Sequence, residues 1–225
     1  LVKKLTEASF SERPSDKIGK TVAKILYGEI SPYSATRLER FAACAFAHFL
    51  QYGLKVTERA EYEFRAMDMG NVMHMALEKF AAEVRKEGLD WAELTEEERN
   101  RIIDSCLDQV SADYGNTILK SSARNEYMIE RTRRILRRTV WALQEQLKHG
   151  AFRPEGFEVR FQGGRIDRVD IMEEPENNRV YVKVIDYKTG NTSFDLLALY
   201  HGLQLQLMVY LDGALQVEKR KYPDR

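Results

Sequence analysis

The feature that most constrains this chain is a change of hydrophobic period near Gly156. Before it, apolar residues recur every three or four positions, as on one face of a helix. After it they alternate, as on a half-buried strand. Helices first and strands second predict an α/β or α+β core, with the early helices wrapping a sheet.

In the helical part, Ser31-Pro32-Tyr33-Ser34 reads as a helix start with a capping hydroxyl, and a helix from about Ala35 to Tyr52 closes at Gly53. A second helix, near Gly70 to Lys86, lines up Met73, Ala76, Leu77, Phe80 and Val84 on one stripe and ends at Gly88. Thr95 with Glu98 is a capping-box signature for a third helix running toward Tyr114. A fourth runs from about Ala123 to Lys148 and is stopped by Gly150 and Pro154. Beyond Gly156, Phe157 to Phe161, Gly164 to Met172 and Arg179 to Lys188 read as strands, the last two forming a hairpin through the loop from Glu173 to Asn178. A helix from about Phe194 to Leu211, with Leu196, Tyr200, Leu203, Leu207 and Leu211 as its core face, is expected next, then a strand from Ala214 to Tyr222. The chain stops so soon after this that the core reads as cut short at its C-terminus. Residues 1–30 are weakly patterned and read as a connecting segment. Residues 31–225 read as the domain, with helices over 31–150 and the sheet and its motifs over 156–213.

At 225 residues and 44% hydrophobic, the chain can bury a core of about one domain. No apolar run is long enough for a bilayer and no signal-peptide stretch opens the chain, so a cytoplasmic protein without a membrane partner is expected. Cys44 and Cys106 are too few for a disulfide framework or a four-thiolate metal site. Basic and acidic residues balance at 35 each, so total charge does not announce a nucleic-acid partner. Its distribution says more. Residues 83–113 hold ten acids against four bases, whereas residues 120–150 hold eight bases, from Lys120 through Arg138 to Lys148, against three acids. The five arginines at 131, 133, 134, 137 and 138 fall off the apolar stripe, which fits a solvated face and phosphate contacts equally well.

Alternation puts Val180, Val182, Val184, Asp186 and Lys188 on one face of the last strand, and Asp167 on one face with Val169 and Ile171. Closing the hairpin sets Asp167 and Asp186 roughly opposite each other. Two carboxylates that close in a partly dry site call for a cation, and oxygen donors favour Mg²⁺ or Mn²⁺ over zinc. An internal ion-pair cluster of the same acids with Lys188, Arg165 or Arg168 explains the spacing as well. His74 lies at the margin of its helix's apolar stripe, and Gln206 and Tyr210 share a face four residues apart; each also has an ordinary structural explanation. No Gly-x-x-x-x-Gly-Lys-(Ser/Thr) segment occurs, so any ATP-driven step would come from elsewhere.

Taken in order, Gly70-Asn71-Val72-Met73-His74, Gly164-Arg165-Ile166-Asp167-Arg168-Val169-Asp170, Val184-Ile185-Asp186-Tyr187-Lys188-Thr189-Gly190 and Gln206-Leu207-Met208-Val209-Tyr210 resemble the RecB-like branch of the PD-(D/E)XK nucleases. Each segment alone is weak; the four in one order are specific. At the front, Ser34-Ala35-Thr36-Arg37-Leu38-Glu39-Arg40-Phe41 and the stretch from Cys44 to Leu54 resemble the nuclease region of the AddB subunit of bacterial AddAB helicase-nucleases. The resemblance covers most of residues 22–213. It implies a restriction-endonuclease-like core, a central mixed sheet flanked by helices, and a metal-dependent DNA exonuclease domain serving double-strand-break repair and recombination.

The same resemblance implies that His74, Asp167 and Asp186 bind Mg²⁺ or Mn²⁺ together with the Tyr187 backbone carbonyl. Asp167, Asp186 and Lys188 would be catalytic, the lysine orienting or activating the attacking water. Gln206 and Tyr210 would support the site or the DNA backbone, and Arg165, Arg168, Arg131, Arg134 and Arg138 would contact DNA. An AddA-type helicase subunit is the implied partner. In that family the cysteine matching Cys44 is the first of four iron–sulfur ligands. This chain lacks the other three and has Ala45 where proline is usual, so a [4Fe–4S] cluster would require a longer chain. Two alternatives stay open: a free-standing RecB-like exonuclease, and a non-catalytic DNA-binding or scaffolding module on the nuclease fold.

Overall fold

A computed structural model describes residues 18–28, 34–57, 66–114, 122–190 and 192–222. The first 17 residues of the expected connecting segment, the Ser31 to Tyr33 part of the helix start, and Lys120 lie outside the described residues. A short helix α1 (Lys20–Tyr27) precedes α2 (Ala35–Ala43), which Ser34 caps by accepting the Arg37 N–H. The single helix expected to reach Tyr52 instead breaks at Cys44, whose backbone is extended. Cys44 Sγ then accepts the Ala47 N–H and starts α3 (Ala45–His48), which runs into a π-helical turn over Phe49–Gly53.

Three longer helices form one layer: α4 (Ala66–Lys86), α5 (Glu96–Asp113) and α6 (Ala123–Lys148). The Thr95 hydroxyl accepts the Glu98 N–H while the Glu98 carboxylate accepts the Thr95 N–H at 2.9 Å, the capping box that the sequence predicts. The apolar stripe of α4 is buried as expected, with Ala76 and Phe80 fully enclosed against Leu107, Leu136 and Val140 from the other two helices.

The sheet holds β1 (Arg153–Phe161), β2 (Gly164–Glu174) and β3 (Arg179–Ile185) in that spatial order. Both pairings are antiparallel, so the mixed sheet expected from the resemblance has no parallel strand among the described residues. β1 begins earlier than its alternation suggested, because an irregularity between Pro154 and Gly156 accommodates a residue that has no N–H for the ladder. The two-residue turn Gln162-Gly163 fixes the first register, with Phe161 facing Gly164 and Val159 facing Ile166. β2 is the central strand, and Ile166 to Ile171 are all buried. Toward the helical layer, the Arg168 guanidinium lies over the rings of Trp91 (5.2 Å) and Phe157 (5.7 Å). Elsewhere on the sheet, Val169, Val182 and Val184 pack with Tyr210 and Ala214 of the last helix.

Two expectations fail at the C-terminal end. The helix predicted from Phe194 to Leu211 is split into α7 (Leu196–Tyr200) and α8 (Gln206–Lys221) by a turn at Gly202, whose φ of +73° suits glycine. The strand predicted from Ala214 to Tyr222 is the second half of α8. Burial there follows the helical period, through Tyr210, Ala214 and Glu218, and leaves exposed the leucines expected as a core face, Leu196 at 71% and Leu203 at 43% among them. Gly213 explains the choice of face: a Cβ there would collide with the Phe161 ring, so the absence of a side chain lets α8 lie close on β1. No helix among the described residues is long and apolar enough to cross a membrane.

Candidate functional site

Because α4 buries Met73, Ala76 and Leu77, His74 is turned toward the ends of β2 and β3 and is half-buried. Its Nδ1 lies 3.3 Å from Asp167 Oδ1 and its Nε2 lies 3.0 Å from the Tyr187 carbonyl oxygen. Asp167 Oδ2 accepts the Tyr187 N–H at 2.6 Å, so a side chain takes over the pairing where β3 has ended. Arg168 faces Ile185 across the hairpin, and one further step of that register sets Asp167 opposite Asp186, as the sequence predicts.

A fourth group was not anticipated. The Glu158 carboxylate joins His74 and Asp167, the three offering ligand atoms within 4.8 Å of one another. Glu158 sits at φ +50°, an uncommon backbone conformation for a residue with a Cβ, and Arg165 Nε holds its carboxylate at 2.5 Å. The signal that finds it is the Gln162-Gly163 turn: counting back from Phe161 opposite Gly164 puts Glu158 opposite Asp167. Electrostatically the group resists its own charge. Burial raises the Glu158 carboxyl above the usual carboxylate range despite Arg165, and raises Asp186 likewise despite Lys188. The hydrogen bond from Asp167 raises the His74 imidazole. Such a cluster is one that a cation would stabilise.

Asp186 faces a second set of partners. Its Oδ2 lies 2.6 Å from Lys188 Nζ and its Oδ1 accepts from Gln206 Nε2 at 3.2 Å. The Gln206 amide also accepts from Lys188 Nζ at 2.8 Å and donates to the Tyr210 hydroxyl at 3.0 Å, so one side chain ties the acid, the lysine and the phenol together. Gln206 opens α8, a helix with no local side-chain cap. Its cap comes from α2: Glu39 Oε1 accepts the N–H groups of Leu205 at 2.6 Å and Gln206 at 2.9 Å. Glu39 and Leu205 are 166 positions apart, so no local sequence signal could have found this contact. Glu39, Asp186, Lys188 and Gln206 share an open cavity of about 740 Å³.

The arginines divide. Arg165 is exposed and bound to Glu158. Arg168 corrects an expectation: it is 1% exposed, with Nε 2.5 Å from Asp170 Oδ1 and Nη2 3.0 Å from Oδ2, and it cannot reach a DNA phosphate. It belongs to a buried ion pair beside the Tyr187 phenol, which burial pushes up to about 12. Arg131, Arg134 and Arg138 are exposed on α6, whereas Arg133 and Arg137 are engaged by Asp104, Asp108 and Glu130. Cys44 is exposed between α2 and α3, and Cys106 is buried in the helical core.

The chain is 44% identical over 229 residues to the AddB-type subunit of the ATP-dependent helicase/deoxyribonuclease of Lachnoclostridium phytofermentans, an alignment covering 98% of this chain and 20% of that protein. It is 37% identical to the subunit of the same name from Alkaliphilus metalliredigens, over 98% of this chain and 21% of the relative. Identity to the corresponding Caldanaerobacter subterraneus protein is 40%, over 86% and 18%. The chain thus spans about a fifth of the length of these relatives. The sequence pattern of the PD-(D/E)XK nuclease superfamily matches residues 32–225, a span containing every site residue from Glu39 to Tyr210, and the chain belongs to that superfamily.

Proposed function

We propose that this chain is the magnesium- or manganese-dependent DNA exonuclease domain of an AddB-type helicase-nuclease, working with an AddA-type helicase subunit in cytoplasmic repair and recombination at double-strand breaks. The observation that carries the nuclease chemistry is the convergence of His74, Asp167 and Glu158 within 4.8 Å, beside the bonded Asp186 and Lys188. The relatives are named as parts of an ATP-dependent helicase/deoxyribonuclease, which supports DNA as substrate and a helicase as companion.

The donors fit a hard divalent cation, since two carboxylates and a carbonyl oxygen accompany a single imidazole. His74, Asp167, Asp186 and the Tyr187 carbonyl would hold it, with Glu158 as a further ligand. Such an ion supplies Lewis-acid polarisation of the scissile phosphate. The chain's own groups do the rest. Asp167 accepts the Tyr187 N–H and lies against His74, which keeps imidazole and carbonyl oriented within one group. Lys188, steadied by Asp186 and the Gln206 amide, presents an ammonium that orients the attacking water and offsets negative charge growing on the phosphate oxygens. Tyr210 holds the far side of the Gln206 amide.

The test separates ligand from catalyst. Asp186→Ala should lose both Mn²⁺ binding by calorimetry and cleavage of linear DNA. Lys188→Ala should keep the cation, because a protonated lysine repels it, and lose about 10² to 10³ in rate. A Lys188→Ala protein that cleaves at the parental rate, or a folded Asp186→Ala protein with parental Mn²⁺ affinity, overturns the assignment.

A further inference from the structure

On the side of α6 away from its buried residues, side chains at spacings of three and four form a stripe: Arg124, Tyr127, Arg131, Arg134, Arg138 and Trp141. At about 100° per residue they share an arc of about 100°, along about 25 Å of helix axis. All six are exposed, Tyr127 at 59% and Trp141 at 45%. None of the four arginines has an acidic partner among the described residues. The contrast with their neighbours is sharp, because Arg133 and Arg137 spend their charge on Asp104, Asp108 and Glu130. Glu145, which follows the stripe, is taken by Lys148 at 2.9 Å. The Trp141 end adjoins Leu143 and Gln146, which line the cavity holding Asp186 and Lys188.

We infer that this stripe is a track for single-stranded DNA, its arginines binding phosphates and Tyr127 and Trp141 stacking on bases, leading a strand toward the nuclease cavity. The destination rests on the nuclease reading above; the chemistry of the track does not. Arginines alone would suit duplex and single strand alike. The two exposed aromatic rings discriminate, since the base faces they would stack on are covered in a duplex and open in a single strand. Tyr, Trp and Arg also dominate protein interfaces, which makes a protein the competing occupant. Four arginines without acids among them favour the phosphate backbone, a partner whose negative charge repeats at every residue.

Binding of a fluorescein-labelled oligothymidylate to the full chain, in chelator so that nothing is cleaved, tests the track. For single strands, log K falls against log salt with a slope of about 0.7 per phosphate neutralised, so Arg131→Gln/Arg134→Gln/Arg138→Gln should flatten the slope by about two. Trp141→Ala should weaken binding about tenfold at unchanged slope, and Trp141→Phe should restore it. Trp91 is 8% exposed, so quenching of tryptophan fluorescence by the oligonucleotide should disappear in Trp141→Phe. Parental affinity and slope in the triple variant overturn the inference. So does a triple variant that keeps its DNA affinity but no longer co-purifies with a helicase subunit, which would make the stripe a protein interface. Failure of the nuclease reading is separate: it would appear as unchanged Mn²⁺ binding and cleavage in Asp186→Ala, whatever the stripe variants do.

Discussion

Removing the Glu39 carboxylate should slow cleavage while leaving the cation site and the fold in place. Glu39 accepts two N–H groups from the first turn of α8, at 2.6 and 2.9 Å, and that turn has no other side-chain cap. Loss of a cap costs about 0.5 to 2 kcal/mol, and an acid at a helix N-terminus adds about 0.3 to 1 kcal/mol through the helix dipole. The site opens on a cavity, so water partly replaces the lost acceptor, and about 1 to 2 kcal/mol is expected. That cost falls on the turn carrying Gln206, whose amide steadies Asp186 and Lys188. Glu39→Ala should therefore lower kcat about tenfold, with KM for DNA and Mn²⁺ affinity near parental, because His74, Asp167 and Glu158 sit on other elements. Glu39→Gln keeps one acceptor oxygen and should recover most of the rate. Tm should fall by less than about 6 °C. Initial rates at saturating Mn²⁺, read beside a thermal melt and a Mn²⁺ titration, decide it. A parental kcat in Glu39→Ala refutes the reasoning, as does a rate loss matched by loss of Mn²⁺ binding.

Asp170→Ala should cost about 3 to 5 kcal/mol in denaturant unfolding, because it leaves the enclosed Arg168 guanidinium unpaired. Equal stability would mean that the charge finds water. A thiol reagent should modify Cys44 at once and Cys106 only in denaturant, since Cys106 is 2% exposed and burial pushes its thiol up to about 11; two equally fast phases would contradict the packing. The raised His74 value favours the cation-free fold at low pH: that contribution is complete below about 6.5 and is lost as pH rises through the higher folded value. A cation needs the neutral imidazole, so Mn²⁺ affinity should climb over the same interval and the climb should weaken in His74→Ala. Gly213→Ala should destabilise by about 1 to 3 kcal/mol, by pushing the Phe161 ring out of its contact with Tyr210.

What the sequence made legible was whatever local pattern and short-range geometry carry. The α4 stripe, the Thr95 and Glu98 capping box and the hairpin that opposes Asp167 to Asp186 each depend on neighbours a few residues apart or on one loop. Motif order then connected His74, Lys188 and Gln206 to them. The failures have one physical source, which is that several arrangements satisfy the same apolar spacing. Leu196, Tyr200, Leu203, Leu207 and Leu211 keep helical spacing, yet the turn at Gly202 breaks the helix between them and the packed face of α8 is set by Gly213 and Ala214 against Phe161. Arg168 looked like a phosphate ligand because an arginine beside an acidic motif has the right charge. Its fate was decided by Trp91, Phe157 and Asp170, none of which the motif contains apart from the last.

Glu158 and Glu39 mark the limit more sharply, because each is placed by pairing between segments. Glu158 follows from a register, and the two-residue turn beside it makes that register countable. Glu39 follows from the packing of α2 on the start of α8, for which the sequence offers no count at all. The site divides along the same line. His74, Asp167, Glu158 and the Tyr187 carbonyl gather at the junction of α4 with the sheet, while Asp186, Lys188, Gln206 and Tyr210 gather where α8 begins. The two halves meet through adjacent residues: Asp186 turns its carboxylate to Lys188 and Gln206, and the next residue, Tyr187, gives its N–H to Asp167 and its carbonyl to His74. A shift of the α8 start therefore acts on Asp186 first and on the imidazole only through the backbone. For that reason, loss of Glu39 is expected to reach the rate before it reaches the cation.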